Sequence, residues 1–350
     1  MVIERVRNSI FKNSGVWFAA FCFFFLVVGG ISYSVVNQLK VKADENITEL
    51  LMLSLKASHA ELEDWVQNTH NDIRDIVDDP LIGGKIQKLI SREGKGVSNA
   101  GSEGVLEVRA LLRRHIEEHG DRDFFVVSKE RKNIASMRDV DLGRKDLFEG
   151  FEDGLERVFN GETIITHFAR SSDKSPAEKK DNGYVMFAGT PVYNDDGDIA
   201  AAFLVTMDPE TSLKNIIDIA RIFKMGDAYF FNDQGMLVTE SMYEGILREA
   251  GVIKEGEGAI FNVRLIDPRT DLRFTGHGAL ELDKLPLTKM AESALKGNSG
   301  INISGYRDYI GAVVVGAWLW ENSAELGIAV EAEVKDAYAS FYTLRDIVVL

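Results

Sequence analysis

Two short stretches carry residues whose types and spacing could do chemistry. His115-Ile116-Glu117-Glu118-His119 fits H-x-x-E-H, in which two histidines one helical turn apart hold Zn²⁺ and a glutamate activates water. Five positions with three fixed make a low-information pattern. Here it runs straight into the helix-terminating Gly120, where basic side chains complement the helix dipole without any metal. The second stretch is Tyr306-Arg307-Asp308-Tyr309, placed directly before the uncharged run from Ile310 to Trp320. It is either a catalytic cluster or the polar lip of a buried strand. No histidine, serine nucleophile or phosphate-cradling glycine loop stands near it, which favours a binding or structural role. His167 and His277 stand alone and suggest no constellation.

The elements that must position these residues begin with a membrane anchor. The chain has 350 residues, 45% of them hydrophobic and 27% charged, enough for two domains with sizeable cores. Residues 16–36, VWFAAFCFFFLVVGGISYSVV, carry no charge and would span roughly 31 Å as a helix, the thickness of a bilayer's hydrocarbon layer. A cleaved signal peptide would have a shorter apolar core and a small-residue cleavage site. Arg5, Arg7 and Lys12 precede the span with only Glu4 against them, which keeps residues 1–15 cytoplasmic by the positive-inside rule. Those residues carry +2 of a net charge of −15, so the remainder holds −17. A surface that acidic is a poor partner for nucleic acid or anionic lipid, and the large part of the chain is expected outside the cytoplasm. The only cysteine, Cys22, lies inside the span, so neither disulfides nor a thiolate metal site operate in the exported part.

Residues 37–80 read as a helical stalk. Leu39, Ile47, Leu50, Leu51, Leu62, Trp65, Val66, Ile73, Ile76 and Val77 recur at threes and fours until Pro80. The segment GKGVSNAGSEG reads as a loop, and Val105 to His119 as a further amphipathic helix. From Asp123 onward one series of parts occurs twice. DFFVVSKERKNIASM (123–137) and AYFFNDQGMLVTESM (228–242) each read as strand, turn, strand. GLERVFNGETIITHF (154–168) and MAESALKGNSGINIS (290–304) each read as helix, glycine, strand. VMFAGTPVYNDDGDIAAAFLVTMD (185–208) and AVVVGAWLWENSAELGIAVEAEV (312–334) each read as a hairpin of two apolar strands. Each copy needs only antiparallel neighbours, a PAS-like order. After Asp346 an apolar run begins, as expected of a closing helix (335–350) that leads to a second span; the alternative is a C-terminus packed on the domain.

This layout resembles the double Cache sensor domain of bacterial transmembrane receptors over residues 37–342. Tyr229 to Val252 and Tyr306 to Val330, with Asp267-Pro268 between them, resemble the version attached to histidine kinases, Ser/Thr kinases and nucleotide cyclases. Relatives often have a basic residue and a proline where this chain has Ile310 and Ala312. The resemblance implies an α+β fold: a transmembrane helix and stalk followed by two tandem PAS-like antiparallel-sheet modules, membrane-distal over 81–212 and membrane-proximal over 213–334. It implies a sensor rather than an enzyme in this region, with no cofactor, and a cytoplasmic kinase or cyclase output beyond residue 350.

In such a module the ligand lies between the sheet and the loops and helices crossing it. The distal copy supplies Ser136, Arg138, Arg170 and Asp208 at those places. Arg138 and Arg170 could clamp a carboxylate, while Asp208 would suit an amine or pair internally with Arg170. Many amino-acid-sensing relatives carry Arg-x-Trp-Tyr after the second strand; this chain has Gly143-Arg144-Lys145-Asp146-Leu147-Phe148, which argues against assuming an amino-acid ligand. The proximal copy offers a second candidate site at Tyr229, Glu240, Tyr243, Arg307 and Asp308, with Arg307 and Asp308 expected to pair at its rim while Val313 to Val315 enter the core. A homodimer is expected through the stripe at Leu50, Leu51, Leu62 and Val66. The rival function is a membrane-tethered exported zinc hydrolase using His115 and His119.

Overall fold

The computed structural model describes residues 2–93, 103–119, 123–148, 151–165, 169–170, 184–207, 213–214, 216–217, 226–274 and 284–349; for 2–16, 114–115, 117–119, 169–170 and 184–185 only the backbone is described. The helix α1 runs without a break from Val2 to Asp78. Its 77 residues reach about 115 Å at 1.5 Å per residue. It ends where expected, because Pro80 cannot continue the backbone hydrogen-bond ladder. Asp79 instead caps a new helix, α2 (Pro80–Glu93), accepting from the amides of Leu81 and Ile82 at 2.8 and 2.9 Å. The helical character of 80–93 was not among the elements expected from the sequence. α3 follows at Glu103–His119.

Two antiparallel sheets come next. The first contains β1 (Asp123–Ser128), β2 (Asn133–Ser136), β3 (Ile164–Ile165), β4 (Ala169–Arg170), β5 (Tyr184–Tyr193) and β6 (Ile199–Met207), in the order β2-β1-β6-β5-β3 with β4 also on β5. The helix α4 (Glu152–Phe159) lies between β2 and β3 in sequence. The second contains β7 (Asp227–Phe231), β8 (Gly300–Arg307), β9 (Val313–Glu321) and β10 (Leu326–Glu333), in the order β7-β10-β9-β8, with α5 (Glu244–Glu249) and α6 (Lys289–Ala294) in the connection after β7. The repeat is therefore visible strand by strand: β1 matches β7, β3 matches β8, and the hairpin β5-β6 matches β9-β10. The expected second strand of the proximal copy survives only as isolated bridges at Met236 and Leu237. The Leu237 backbone is taken by the neighbouring loop, donating to the Val263 carbonyl and accepting from the Phe261 amide.

Each central strand is buried on both faces, which is why it reads as a continuous apolar run. Phe124 and Val126 of β1 pack toward the helices, while Phe125 and Val127 join Phe148, Phe151, Leu155 and Phe187 on the other face. In β7, Ala228 and Phe230 face the helical side, and Tyr229 and Phe231 the other. The helical sides of both sheets form one core along α1, lined by Ile47, Leu51, Leu55, Leu62, Val66, Ile73 and Ile76. Polar pins fix the same helix to both modules: Arg74 Nε donates to Thr163 Oγ1 at 2.8 Å in the first, and His59 Nε2 meets Glu321 Oε2 at 2.6 Å in the second.

The stalk is thus a spine that backs both sheets, and this corrects the expected dimer seam. Leu51, Leu62 and Val66 are buried against the chain's own modules, and of the four seam residues only Leu50 is exposed. The same spacing of threes and fours fits a partner helix or a sheet face, so periodicity alone could not separate them. By contrast the apolar face of 17–35 meets no partner among the described residues: Trp17, Phe18, Phe21, Phe23, Phe24 and Ile31 are all exposed on a helix long and apolar enough to cross a membrane.

The chain closes with α7 (Val334–Ala337) and α8 (Ala339–Val349). α8 packs back on α1, with Phe341 buried and the Tyr338 hydroxyl donating to Asp44 Oδ1 at 2.6 Å. Lys40 pairs with the same Asp44 and lies 4.0 Å from the Tyr338 ring centroid.

Candidate functional site

Two of the distal candidates, Ser136 and Arg138, lie at the end of β2. Ser136 is fully buried and its hydroxyl donates to the Arg138 carbonyl at 2.8 Å, shaping the chain as it leaves the strand. The Arg138 guanidinium reaches Asp123 Oδ2 at 3.2 Å and Asp141 Oδ2 at 2.8 Å. Asp141 has no solvent exposure, and Arg144, bound bidentately to Asp146, approaches it from the other side at 3.6 Å. Asp123 also accepts from the amides of Phe124 and Met137, while burial holds its carboxyl above the ordinary carboxylate range. Arg109 of α3 completes the group, donating to the Ser136 carbonyl at 2.5 Å and pairing with Asp139 at 2.7 Å. Arg138 therefore pairs with two carboxylates of its own chain. A guanidinium between buried carboxylates neutralises them and has little left for a ligand. Arg170 pairs through its backbone with Tyr184 in β4; its side chain and Asp208 lie outside the described residues, as do the side chains of His115 and His119.

The proximal candidates converge more closely. Glu331 of β10 is 3% exposed, and its two oxygens accept from the hydroxyls of Tyr229 (β7) and Tyr306 (β8), each at 2.6 Å. Gly316 on β9 stands opposite Glu331 in the ladder. A Cβ at Gly316 would meet Tyr306 Oη at 2.3 Å and Glu331 Cγ at 2.9 Å, so glycine leaves the room the bond occupies. Gly316→Ala should destabilise the protein by about 1–3 kcal/mol through overpacking, read from a lower denaturant midpoint; an unchanged midpoint would mean that the contact relaxes freely. Beside this bond, the Tyr309 hydroxyl donates to Asp227 Oδ2 at 3.1 Å and lies 2.8 Å from Ser241 Oγ, whose oxygen also accepts from the Tyr243 amide at 3.0 Å.

Tyr306-Arg307-Asp308-Tyr309 is a strand end followed by a tight turn. Asp308 is 2% exposed, and Oδ1 accepts from the amides of Ile310 and Ala312 at 3.0 and 2.8 Å. The turn needs Gly311 at φ +81°, where a Cβ would lie 1.9 Å from the Thr270 carbonyl oxygen. Arg307 points the other way, to Asp267 at 2.9 Å on the surface. The expected Arg307–Asp308 pair does not form, because adjacent residues on an extended strand face opposite sides. Val314 and Val315 enter the core but Val313 is exposed. Tyr243 is half-buried against Tyr309, and burial raises its hydroxyl's pKa; Glu240 is exposed.

Sequence reasoning missed Asp123, Asp141, Asp227 and Glu331. A signal was present for Glu331: in IAVEAEV a carboxylate occupies a position within an otherwise apolar strand buried on both faces. Among the described residues, His59, Glu63 and Glu321 come together in the manner of a metal trio. However, Glu321 meets Nε2 and Glu63 approaches Nδ1, on opposite edges of the ring, so the cluster works as a pin between α1 and β9.

Tandem antiparallel sheets of this strand order, backed by one long N-terminal helix and followed by a closing helix, make an α+β architecture of the kind the sequence resemblance led us to expect. No family model and no curated protein matches the sequence. Among solved structures, the chain is similar to the sensor domain of the V. cholerae histidine kinase DctB, with 13% identity, TM-score 0.47, and coverage of 85% of this chain and 98% of that one. It is also similar to the ligand-binding domain of the Campylobacter jejuni chemoreceptor Tlp3 in complex with 4-methylisoleucine (12% identity, TM-score 0.42, coverage 82% and 94%). A third is the ligand-binding domain of Mlp24 with asparagine (12% identity, TM-score 0.39, coverage 86% and 99%).

Proposed function

We propose that this chain is the ligand-sensing region of a transmembrane receptor, anchored by residues 16–36 with its two modules outside the cytoplasm. The observation that carries this is the meeting of α8 with α1 at Lys40, Asp44, Tyr338 and Phe341, immediately beside the apolar stretch. A change in either sheet is thereby delivered to a helix pair at the membrane. A small molecule held by the distal module shifts α8 against α1, provided that it binds one helix arrangement better than the other; α8 continues into a second span and a cytoplasmic output. With Arg138 held internally, Arg170 is the arginine of the expected clamp that supports a carboxylate ligand.

The test uses the whole chain in lipid nanodiscs, with Cys22→Ser and cysteines at 40 and 341. A panel of small carboxylates should raise the melting temperature and change the disulfide-formation rate between the two helices. Arg170→Ala should abolish both responses. Stabilisation by a ligand with an unchanged crosslinking rate would remove the signalling role and leave a binding module. Stoichiometric zinc lost on His119→Ala would favour the hydrolase instead.

A further inference from the structure

In the proximal module, the partners of buried Glu331 and Asp308 among the described residues are all neutral. Glu331 is held by two tyrosine hydroxyls and Asp308 by two backbone amides. Among the described residues no lysine, arginine or histidine forms an ion pair with either. The charged and titratable groups around them can be placed element by element. β7 contributes Asp227 and Tyr229, the segment after it Ser241 and Tyr243, β8 Tyr306, and the turn Tyr309. β9 contributes only Gly316 opposite Glu331, and α6 presents buried Met290, Ala291 and Ala294. Among the described residues, Arg273 binds Asp271 and Glu333, Lys335 binds Glu333, and Arg307 binds Asp267.

Two anions in such a place, with Asp227 adjacent, cannot both remain charged without a large desolvation penalty; the cheaper solution is a bound proton. We infer that the proximal module is a proton-binding element: Glu331 and Asp308 retain a proton beneath the tyrosines, and its release loosens the end of β10 that launches α7 and α8. Only the last step, movement of the helices, rests on the proposed transmission from sheet to helix pair. Burial, with the nearby charge of Asp227, pushes Glu331 up to about 7, and burial with the charge of Glu331 pushes Asp308 up to about 8, so release falls in the neutral range. The consequence for the fold is local and directed. Ionised Glu331 repels Asp308 and Asp227 and draws β10 away from the β7 edge, and Glu331 lies two residues before Glu333, the residue that opens α7.

The sign follows from linkage. A carboxyl that holds its proton more tightly folded than unfolded stabilises the fold at low pH, and that contribution disappears as pH rises through the folded value. The whole chain in nanodiscs should therefore melt at progressively lower temperature as pH is raised from about 4 to about 8 and level off by about 9, and Glu331→Gln, which keeps the shape and cannot ionise, should flatten that slope. Parallel slopes in wild type, Glu331→Gln and Asp308→Asn would overturn the proposal. Should either variant fail to fold, the infrared carbonyl band of a protonated carboxyl group can be followed in the wild type; a band that persists through this range, or is absent throughout, also overturns it. For the coupling, the ratio of the disulfide-formation rates between cysteines at 40 and 341 in the wild-type and Glu331→Gln backgrounds, in which the thiols' own ionisation cancels, should change at least twofold across this range. A titrating carbonyl band with a pH-independent ratio would defeat the coupling even if ligand still altered the rate, which separates this failure from failure of the sensor reading.

Discussion

Arg138→Ala should be among the most damaging single changes in the distal module, lowering stability by about 3–5 kcal/mol, the range for breaking a buried ion pair from one side. The substitution strands Asp141, which has no solvent exposure, and removes a cation from Asp123, whose carboxyl is already disfavoured as an anion by burial. Arg144 at 3.6 Å compensates only in part, because its fork is engaged by Asp146. Adding Asp141→Asn to Arg138→Ala should recover a measurable share of the loss, since the stranded charge is then gone. Denaturant unfolding of wild type, the two single variants and the double variant measures this directly. An anchor for a ligand predicts another pattern: an unliganded protein that melts as before and no longer responds to ligand. An unchanged unliganded midpoint for Arg138→Ala would show that its pairing with Asp123 and Asp141 is not what holds the β2 end in place.

Leu62→Ala should destabilise the chain by about 2–5 kcal/mol, the range for a large-to-small change in a well-packed core. Leu62 is fully buried on the face of α1 that also carries Leu51, Leu55 and Val66, and the core it belongs to runs behind both sheets. The loss should appear in both modules, because the helix is their shared wall. Leu53→Ala, on the exposed face of the same helix, should change stability by no more than about 0.5 kcal/mol. Calorimetry of the two variants tests the spine directly. If Leu62→Ala melted only one module, or left both unaffected, the helix would be a stalk after all. Buried positions 51 and 62 should likewise give no disulfide between copies when replaced by cysteine; an efficient crosslink there would revive the dimer seam.

Several features were legible from the sequence for clear physical reasons. The apolar run at 16–36 was visible because a bilayer demands an uninterrupted length of uncharged residues. The paired repeats were visible because each strand, turn and helix leaves its own local period, and the same series recurred from Asp123 and from Ala228. Pro80 marked the end of α1 because its ring breaks the helix ladder wherever it occurs. The sequence therefore determined most of the elements and the α+β, twin-module plan, though not the helix at 80–93 or the loss of the second strand of the proximal copy. It did not determine what each apolar face meets. The stripe at Leu51, Leu62 and Val66 has a spacing that serves a partner helix or a sheet equally well, and only the tertiary structure placed it against the chain's own sheets. The candidate site divided in the same way. Arg138 was conspicuous in the sequence as a cation, but its partners Asp123 and Asp141 are set by the β1–β2 pairing and the turn after β2. Glu331 is 25 residues from Tyr306 and 102 from Tyr229, and no local pattern connects them. Their meeting depends on the strand order that puts β10 beside β7, and on the missing side chain at Gly316 that makes room for the bond. Whether a carboxylate is a surface charge or a buried proton carrier is decided by desolvation and by the neighbours that share its space, and both exist only once the chain has folded.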